Sequence, residues 1–217
     1  MKQLHHSQEA LIEFPDGVNL SGTLTIPENA VKLVIFAHGS GSGRFSPRNQ
    51  FVARFLNDQG MATLLLDLLT PEEEAVDEIT REYRFNIPLL ADRLVATAHW
   101  ARSNTSTNTL KISYFGASTG AAAALIAAAK EGNIIADIVS RGGRPDLAEA
   151  VLPTIKTPTL LIVGGDDGDV ITLNKQAYDL LAGEKGIEIV PGATHLFEEP
   201  GTLDAVAQLA AVWFKKH

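Results

Sequence analysis

Apolar residues fall into two kinds of run along the 217-residue chain. The first kind is short and unbroken. Leu33-Val34-Ile35-Phe36 is the clearest, and similar runs recur at 62–66, 112–115, 134–139, 160–163 and 187–190. A strand wetted on one face alternates apolar with polar residues, so an unbroken run predicts a parallel strand buried on both faces. The second kind repeats at helical spacing. Phe51, Val52, Phe55 and Leu56 predict a helix over 48–59, and the segments 88–102, 118–130, 170–182 and 203–215 read the same way. Two β-type runs at 9–14 and 18–26 come first, with the hairpin signal Asp16-Gly17 between them. Strands alternating with helices predict an α/β domain over 1–217. Its sheet should be mostly parallel, about eight strands wide and covered by helices on both faces.

Right-handed crossovers send every loop that follows a parallel strand to one edge of the sheet, where ligands of open α/β folds bind. The loops to read for chemistry are therefore 38–48, 67–85, 116–120, 140–146, 164–170 and 191–200. The segment from Asp67 to Arg84 is the longest. It carries Pro71 followed by four acidic residues between Glu72 and Asp77, which suits a short helix beginning after Pro71. No insertion is large enough for a cap domain, so 67–85 is the candidate cover of a small, fairly open site.

Composition narrows the chemistry. The chain has no cysteine, which excludes disulfides, thiolate metal sites and a cysteine nucleophile. A formal net charge of −8 argues against a nucleic-acid or anionic-membrane partner. Arg44, Arg48, Arg141 and Arg144 cluster in two loops and leave room for a local positive pocket. The start Met1-Lys2-Gln3-Leu4-His5-His6 lacks the apolar run of a secretory signal, and 121–129 is too short to span a bilayer. The expectation is a cytoplasmic protein.

Gly116-Ala117-Ser118-Thr119-Gly120 stands between a strand run and an alanine-rich helix. A serine there sits on a sharp turn that exposes its Oγ, small neighbours let strand and helix approach, and the helix N-terminus favours developing negative charge. The bland alternative is an ordinary serine N-cap. A nucleophilic serine needs a base and an orienting acid, in the chain order Ser, Asp or Glu, His for such a turn. Of the six histidines, His195 alone comes directly after the last strand run, in Pro191-Gly192-Ala193-Thr194-His195. The acid belongs to Gly164-Gly165-Asp166-Asp167-Gly168-Asp169-Val170. The usual pattern Gly-x-x-Asp-x-x-Val selects Asp167, with Asp166 and Asp169 competing and Asp169 also suited to cap the next helix. The spacing and closing Glu of a calcium loop are missing, so no metal site is assigned.

Two backbone N–H groups should receive the oxyanion. One belongs to Thr119, and the other to Ser40, or alternatively Gly41, in His38-Gly39-Ser40-Gly41-Ser42-Gly43. That glycine spacing matches neither phosphate-binding fingerprint. His38 reads as a supporting hydrogen-bonding residue.

These motifs, together with 67–74 and the stretch Ser140-Arg141-Gly142-Gly143-Arg144-Pro145-Asp146-Leu147, resemble the dienelactone-hydrolase-like branch of the α/β hydrolases, from about Val18 onward. They are most similar to a bacterial subgroup that sometimes occurs fused to phosphoribosyltransferase domains. The resemblance implies the α/β-hydrolase fold and a Ser118–Asp167–His195 triad. Dienelactone hydrolases proper use a cysteine, so Ser118 is a departure that favours a carboxylic ester over a lactone ring. Relatives often carry Glu-Pro where this chain has Gly168-Asp169, which keeps Asp169 in play.

The reading is a serine hydrolase of a small carboxylic ester, thioester or lactone, needing no cofactor. Acyl transfer to another acceptor and a non-catalytic binding role are the alternatives. Arg44, Arg141 and Arg144 are candidate clamps for a substrate carboxylate, or else ion-pair partners of Glu72–Glu74 that anchor the long loop. Tyr83 and Trp100 are lesser pocket candidates.

Overall fold

The structure, a computed structural model, describes residues 6–217; apart from His6, the N-terminal segment read for a secretory signal lies outside the described residues. Eight strands form one sheet: β1 (Ser7–Glu13), β2 (Asn19–Thr25), β3 (Lys32–Ala37), β4 (Ala62–Leu66), β5 (Lys111–Ala117), β6 (Ile135–Arg141), β7 (Thr159–Gly164) and β8 (Lys185–Val190). Their order is β1-β2-β4-β3-β5-β6-β7-β8. β1 pairs antiparallel with β2, and β2 with β4; the other pairs are parallel. The unbroken apolar runs occupy the centre, where every residue of β3, β4 and β7 is buried. At the β1–β2 turn Gly17 has φ +87° and the Asp16 carboxylate accepts from Val18 N at 3.0 Å, as the Asp-Gly signal predicts.

Among the described residues, six α-helices cover the sheet: α1 (Pro47–Asp58), α2 (Pro71–Thr80), α3 (Ile87–Ser103), α4 (Thr119–Glu131), α5 (Gly168–Leu180) and α6 (Thr202–Lys216). On one face Val52 and Leu56 of α1 and Val206, Ala210 and Phe214 of α6 pack on Val34, Phe36, Phe115 and Val139. On the other, Leu90 and Leu94 of α3 and the alanines of α4 pack on Leu33, Ile35 and Tyr114. Ala121, Ala122, Ala123 and Ala124 are fully buried. Small side chains all round α4 let it lie against the sheet and α3 together. Among the described residues, no helix is long and apolar enough to cross a membrane.

The structure departs from the sequence expectation in two places that matter for the site. Strand β6 runs through Arg141, paired with Ala117 of β5 and Ile162 of β7, although its apolar run stops at Val139. Ladder hydrogen bonds need backbone, not apolar side chains, so Arg141 belongs to the strand end and not to the loop. A 3-10 segment over Pro145–Thr154, with proline at each end region, follows where no element was expected. The expected helix after Pro71 is α2. Thr70 and Glu73 form a reciprocal cap, and Glu73 also meets Arg93 of α3 at 2.6 Å.

Candidate active site

Ser118 sits at the turn from β5 to α4 with φ +51° and ψ −120°, a conformation that costs a non-glycine residue about 1–3 kcal/mol. Its backbone is held on both sides. Ser118 N donates to Arg141 O at 3.2 Å, and Ser118 O accepts from Arg144 N and Ala121 N, each at 3.1 Å. It occupies the N-cap position, yet its side chain makes no capping bond. Instead Ser118 Oγ lies 3.3 Å from His195 Nε2.

His195 Nδ1 lies 2.7 Å from Asp167 Oδ2. Asp167 likewise holds the N-cap position of α5 without a side-chain cap, so its carboxylate is free to face the imidazole. Asp166 is exposed, and its N–H donates to Ala193 O at 2.9 Å, tying the acid loop to the histidine loop. Asp169 falls within the first turn of α5, which begins at Gly168, so the expected cap at Asp169 is corrected to a first-turn position. The histidine loop is braced by residues the sequence reading passed over. Thr194 Oγ1 and N bond Glu199 at 2.6 and 3.1 Å, while Phe197 is buried with φ +56°. The Asp167 side chain is 14% exposed and the His195 side chain 37%, so the carboxylate is sheltered while the imidazole stays open to water.

The 38–43 loop lies against this turn. Gly39 has Ser118 Cβ at 3.1 Å from its own Cβ position, and Ser40 N donates to Thr119 Oγ1 at 2.9 Å. Thr119 is the first residue of α4, where a backbone N–H has no partner within the helix. Gly41 has φ +68° and borders the Arg84 side chain.

His38 is buried beneath the loop. Its Nε2 accepts from Leu68 N at 3.0 Å, which leaves Nδ1–H to donate to Gly39 O at 2.9 Å. Burial pulls its pKa below the ordinary 6.5, against the opposing pull of the Gly39 carbonyl and Asp67. The unfolded chain therefore takes up a proton that the folded chain refuses as pH falls through about 6.5. Stability supplied by neutral His38 is full above that pH and declines below it, by at most about 1.4 kcal/mol per pH unit. Urea midpoints should fall between neutral and mildly acidic pH more steeply for the native chain than for His38→Gln. Parallel profiles would refute this assignment.

The arginines separate. Arg44 is drawn away from Ser118, its guanidinium meeting Glu9 at 2.7 Å and Asp67 at 3.3 Å. Arg144 forms a two-bond pair with Asp146 at 2.9 and 2.7 Å, and contributes to the turn through its backbone. Neither guanidinium pairs with Glu72–Glu74, so the expected loop anchor is corrected: Glu73 uses Arg93. Arg141 is 7% exposed and lines a cavity of about 200 Å³ with Ser118, His195, Ser46, Arg48 and Asn49. A second cavity of about 160 Å³ lies behind the 38–42 loop, under Glu74, Asp77, Glu78 and Arg84. Helix α2 thus borders the neighbouring cavity and does not roof Ser118. Trp100 packs against the core, and Tyr83 gives its N–H to Asp77.

Burial disfavours a charged Asp77, but the Arg84 backbone and side chain and the Tyr83 N–H outweigh it and hold the carboxyl below the usual range. That residue, which fastens the end of α2, carried no signal in the sequence.

A mostly parallel eight-stranded sheet, with a strained serine between strand and helix and an acid and a histidine on later strand ends, defines an α/β hydrolase. The Dienelactone hydrolase family model matches residues 20–215, and the chain belongs to that family. A dienelactone hydrolase structure from Anabaena variabilis is 52% identical, with TM-score 0.97 over 99% of each chain. Est1E from Butyrivibrio proteoclasticus shares the fold at 17% identity, with TM-score 0.80 over 96% of this chain and 98% of its own. A Mycobacterium tuberculosis protein whose name proposes a phosphoribosyl transferase is 52% identical over 200 residues. Those residues are 92% of this chain but 44% of that relative, so the chain spans less than half its length. Both the family and the Anabaena structure carry hydrolase names.

Proposed function

We propose that the chain is a serine hydrolase that cleaves a small carboxylic ester, thioester or lactone through an acyl-enzyme on Ser118. The observation that carries this reading is the continuous line Ser118 Oγ, His195 Nε2, His195 Nδ1, Asp167 Oδ2, with links of 3.3 and 2.7 Å. Asp167 accepts a hydrogen bond from Nδ1–H and so presents Nε2 as the base. Nε2 takes the Ser118 proton as Oγ attacks the carbonyl carbon, then returns it to the departing alkoxide or thiolate. Water, activated by the same imidazole, releases the acid and regenerates Ser118.

The oxyanion would meet Thr119 N–H at the N-terminus of α4. Ser40 N–H is the second donor. Resting on Thr119 Oγ1 at 2.9 Å in the free protein, it turns to or shares with the oxyanion when charge develops. A small-molecule substrate suits the cavity of about 200 Å³. The mycobacterial name is not carried over, because more than half of that relative lies outside the match.

An uncharged fluorophosphonate probe read by intact mass and peptide mapping tests the reading. One adduct on Ser118 is expected. A folded protein that takes up no probe, or takes it elsewhere, sinks the proposal. Asp167→Asn should lower kcat by about 10⁴ on any short ester that the native chain turns over, because the amide no longer enforces the tautomer. A loss under tenfold would show that another aspartate serves.

A further inference from the structure

Asn174 is a fully buried amide in the second turn of α5. Asparagine is a poor helix former, and here its Oδ1 is buried with no hydrogen-bond partner among the described residues. On stability alone the position would favour an apolar residue. What the amide does is spend both protons of Nδ2, one on Val170 O at 2.8 Å and one on Gly143 O at 3.0 Å. Turning the amide over would set Oδ1 against two carbonyl oxygens, so the chemistry of the partners fixes this orientation. The first bond runs back one turn along its own helix. The second leaves the helix and reaches the active site from behind.

Gly143 belongs to a strap, 141–144, that touches every part of that site. Ser118 N donates to Arg141 O, and Arg144 N donates to Ser118 O. Gly142, with φ +51°, lies so near the histidine that a Cβ there would stand 3.5 Å from His195 Nδ1. A Cβ at Gly143 would run into Ser140 Oγ and come within 2.9 Å of Ala121 Cβ. At these two glycines the strap has no side chain with which to brace itself, so it is held by groups that reach its backbone. Asn174 reaches it from α5, the helix whose N-cap is Asp167, seven residues earlier and on the same helical face. Among the described residues, no other hydrogen bond joins α5 to the strap.

We propose that Asn174 is a positioning residue for the reaction: it locks the helix that carries Asp167 to the strap that holds the Ser118 backbone, and so sets how the Asp167–His195 pair meets Ser118 Oγ. The inference rests on the Ser118 esterase reading. It concerns the chemical step and not substrate binding, because neither Asn174 nor any other residue of α5 lines the cavity beside Ser118. A misplacement of about 1 Å between reacting groups costs about 10²-fold in rate. The Ser118 Oγ to His195 Nε2 separation, 3.3 Å, leaves little slack for such a shift.

Hydrolysis of p-nitrophenyl acetate, followed beside thermal melts, tests it. Asn174→Leu keeps the branched outline without a donor. Its kcat should fall by about 10–100-fold while KM stays within about twofold of the native value. Asn174→Thr is the second variant, and carries the same comparison if the leucine does not fold. Its hydroxyl still bonds Val170 O but, one bond nearer the backbone, falls short of Gly143 O, so kcat should fall here too. A threonine variant with native kcat would mean that only the bond within the helix matters, and overturns the proposal. The double variant with Asp167→Asn gives a readout that a merely structural role would not move. In that background Asn174→Leu should cost under about threefold, because there is no longer a carboxylate to place. Two losses that simply multiply overturn the proposal, as does a loss in Asn174→Leu carried by KM. Fluorophosphonate labelling separates this proposal from the esterase reading. A native chain labelled on Ser118, with an Asn174→Leu variant labelled as fast, removes the positioning role alone. A folded native chain left unlabelled removes the esterase reading and the positioning role with it.

Discussion

Ser118→Ala is expected to lower kcat/KM on a short ester by about 10⁴–10⁶-fold while moving the melting temperature little. The catalytic loss follows from the geometry. Oγ is the atom at 3.3 Å from His195 Nε2, and without it the imidazole has no nucleophile to activate. The elbow also places no second hydroxyl in that position, because Thr119 Oγ1 is engaged with Ser40 N. The small stability effect follows from the same coordinates. Alanine keeps the Cβ that packs at 3.1 Å from the Gly39 position, and the strained φ of +51° is borne by either residue. The backbone bonds to Arg141 O, Arg144 N and Ala121 N are untouched. The check is steady-state hydrolysis beside a thermal melt. Activity within tenfold of the native chain, at unchanged melting temperature, would show that Ser118 is not the nucleophile.

Gly120→Ala should have the largest effect on folding, a loss of about 4 kcal/mol or more, or failure to accumulate as soluble protein. A Cβ at Gly120 would stand 2.3 Å from Ala37 O and 2.4 Å from His38 O. Both are backbone atoms, one at the end of β3 and one in the loop after it, so no side-chain rotation relieves the clash. Helix α4 cannot slide away either, because Ala121 to Ala124 are fully buried in contact with the core. Whatever shift the chain did find would carry Thr119 and Ser118 with it, so activity should fall alongside stability. Gly168→Ala is the matched control, since nothing lies within 4 Å of its Cβ position. It should be neutral or gain up to about 1 kcal/mol. Urea midpoints decide between them, and a Gly120→Ala cost under about 1 kcal/mol would contradict the packing described for the elbow.

Much of this architecture is legible along the chain because its signals are local. A strand buried on both faces must be apolar at every position, and Leu33-Val34-Ile35-Phe36 says so without reference to anything distant. The amphipathic spacing of Phe51, Val52, Phe55 and Leu56 reflects a helix with one face on the sheet. Asp16-Gly17 and Pro71 mark a turn and a helix start through backbone chemistry of their own. The motif order across 38–43, 116–120, 164–170 and 191–195 follows from crossover handedness, which delivers all four segments to one sheet edge.

Other features depend on which distant groups are present to accept a bond. Ser118 and Asp167 both stand where a capping side chain would stand. Each leaves its helix uncapped because His195, 77 and 28 residues away in sequence, lies within reach. The local pattern Gly164-x-x-Asp167-x-x-Val170 favours Asp167 over Asp166 and Asp169, but the bond to His195 is a matter of the fold. Arg44, Arg141 and Arg144 are equivalent as letters. Asp67 and Glu9 take the first, Asp146 takes the last, and the extra ladder pairs of β6 bury the middle one with no carboxylate to meet it among the described residues. Local pattern thus sufficed for most of the strands and α-helices and for the edge where chemistry gathers, because periodicity and turn residues act over a few positions. The partner of each polar side chain was settled by three-dimensional proximity, because a charge or hydroxyl answers to whatever the fold sets beside it.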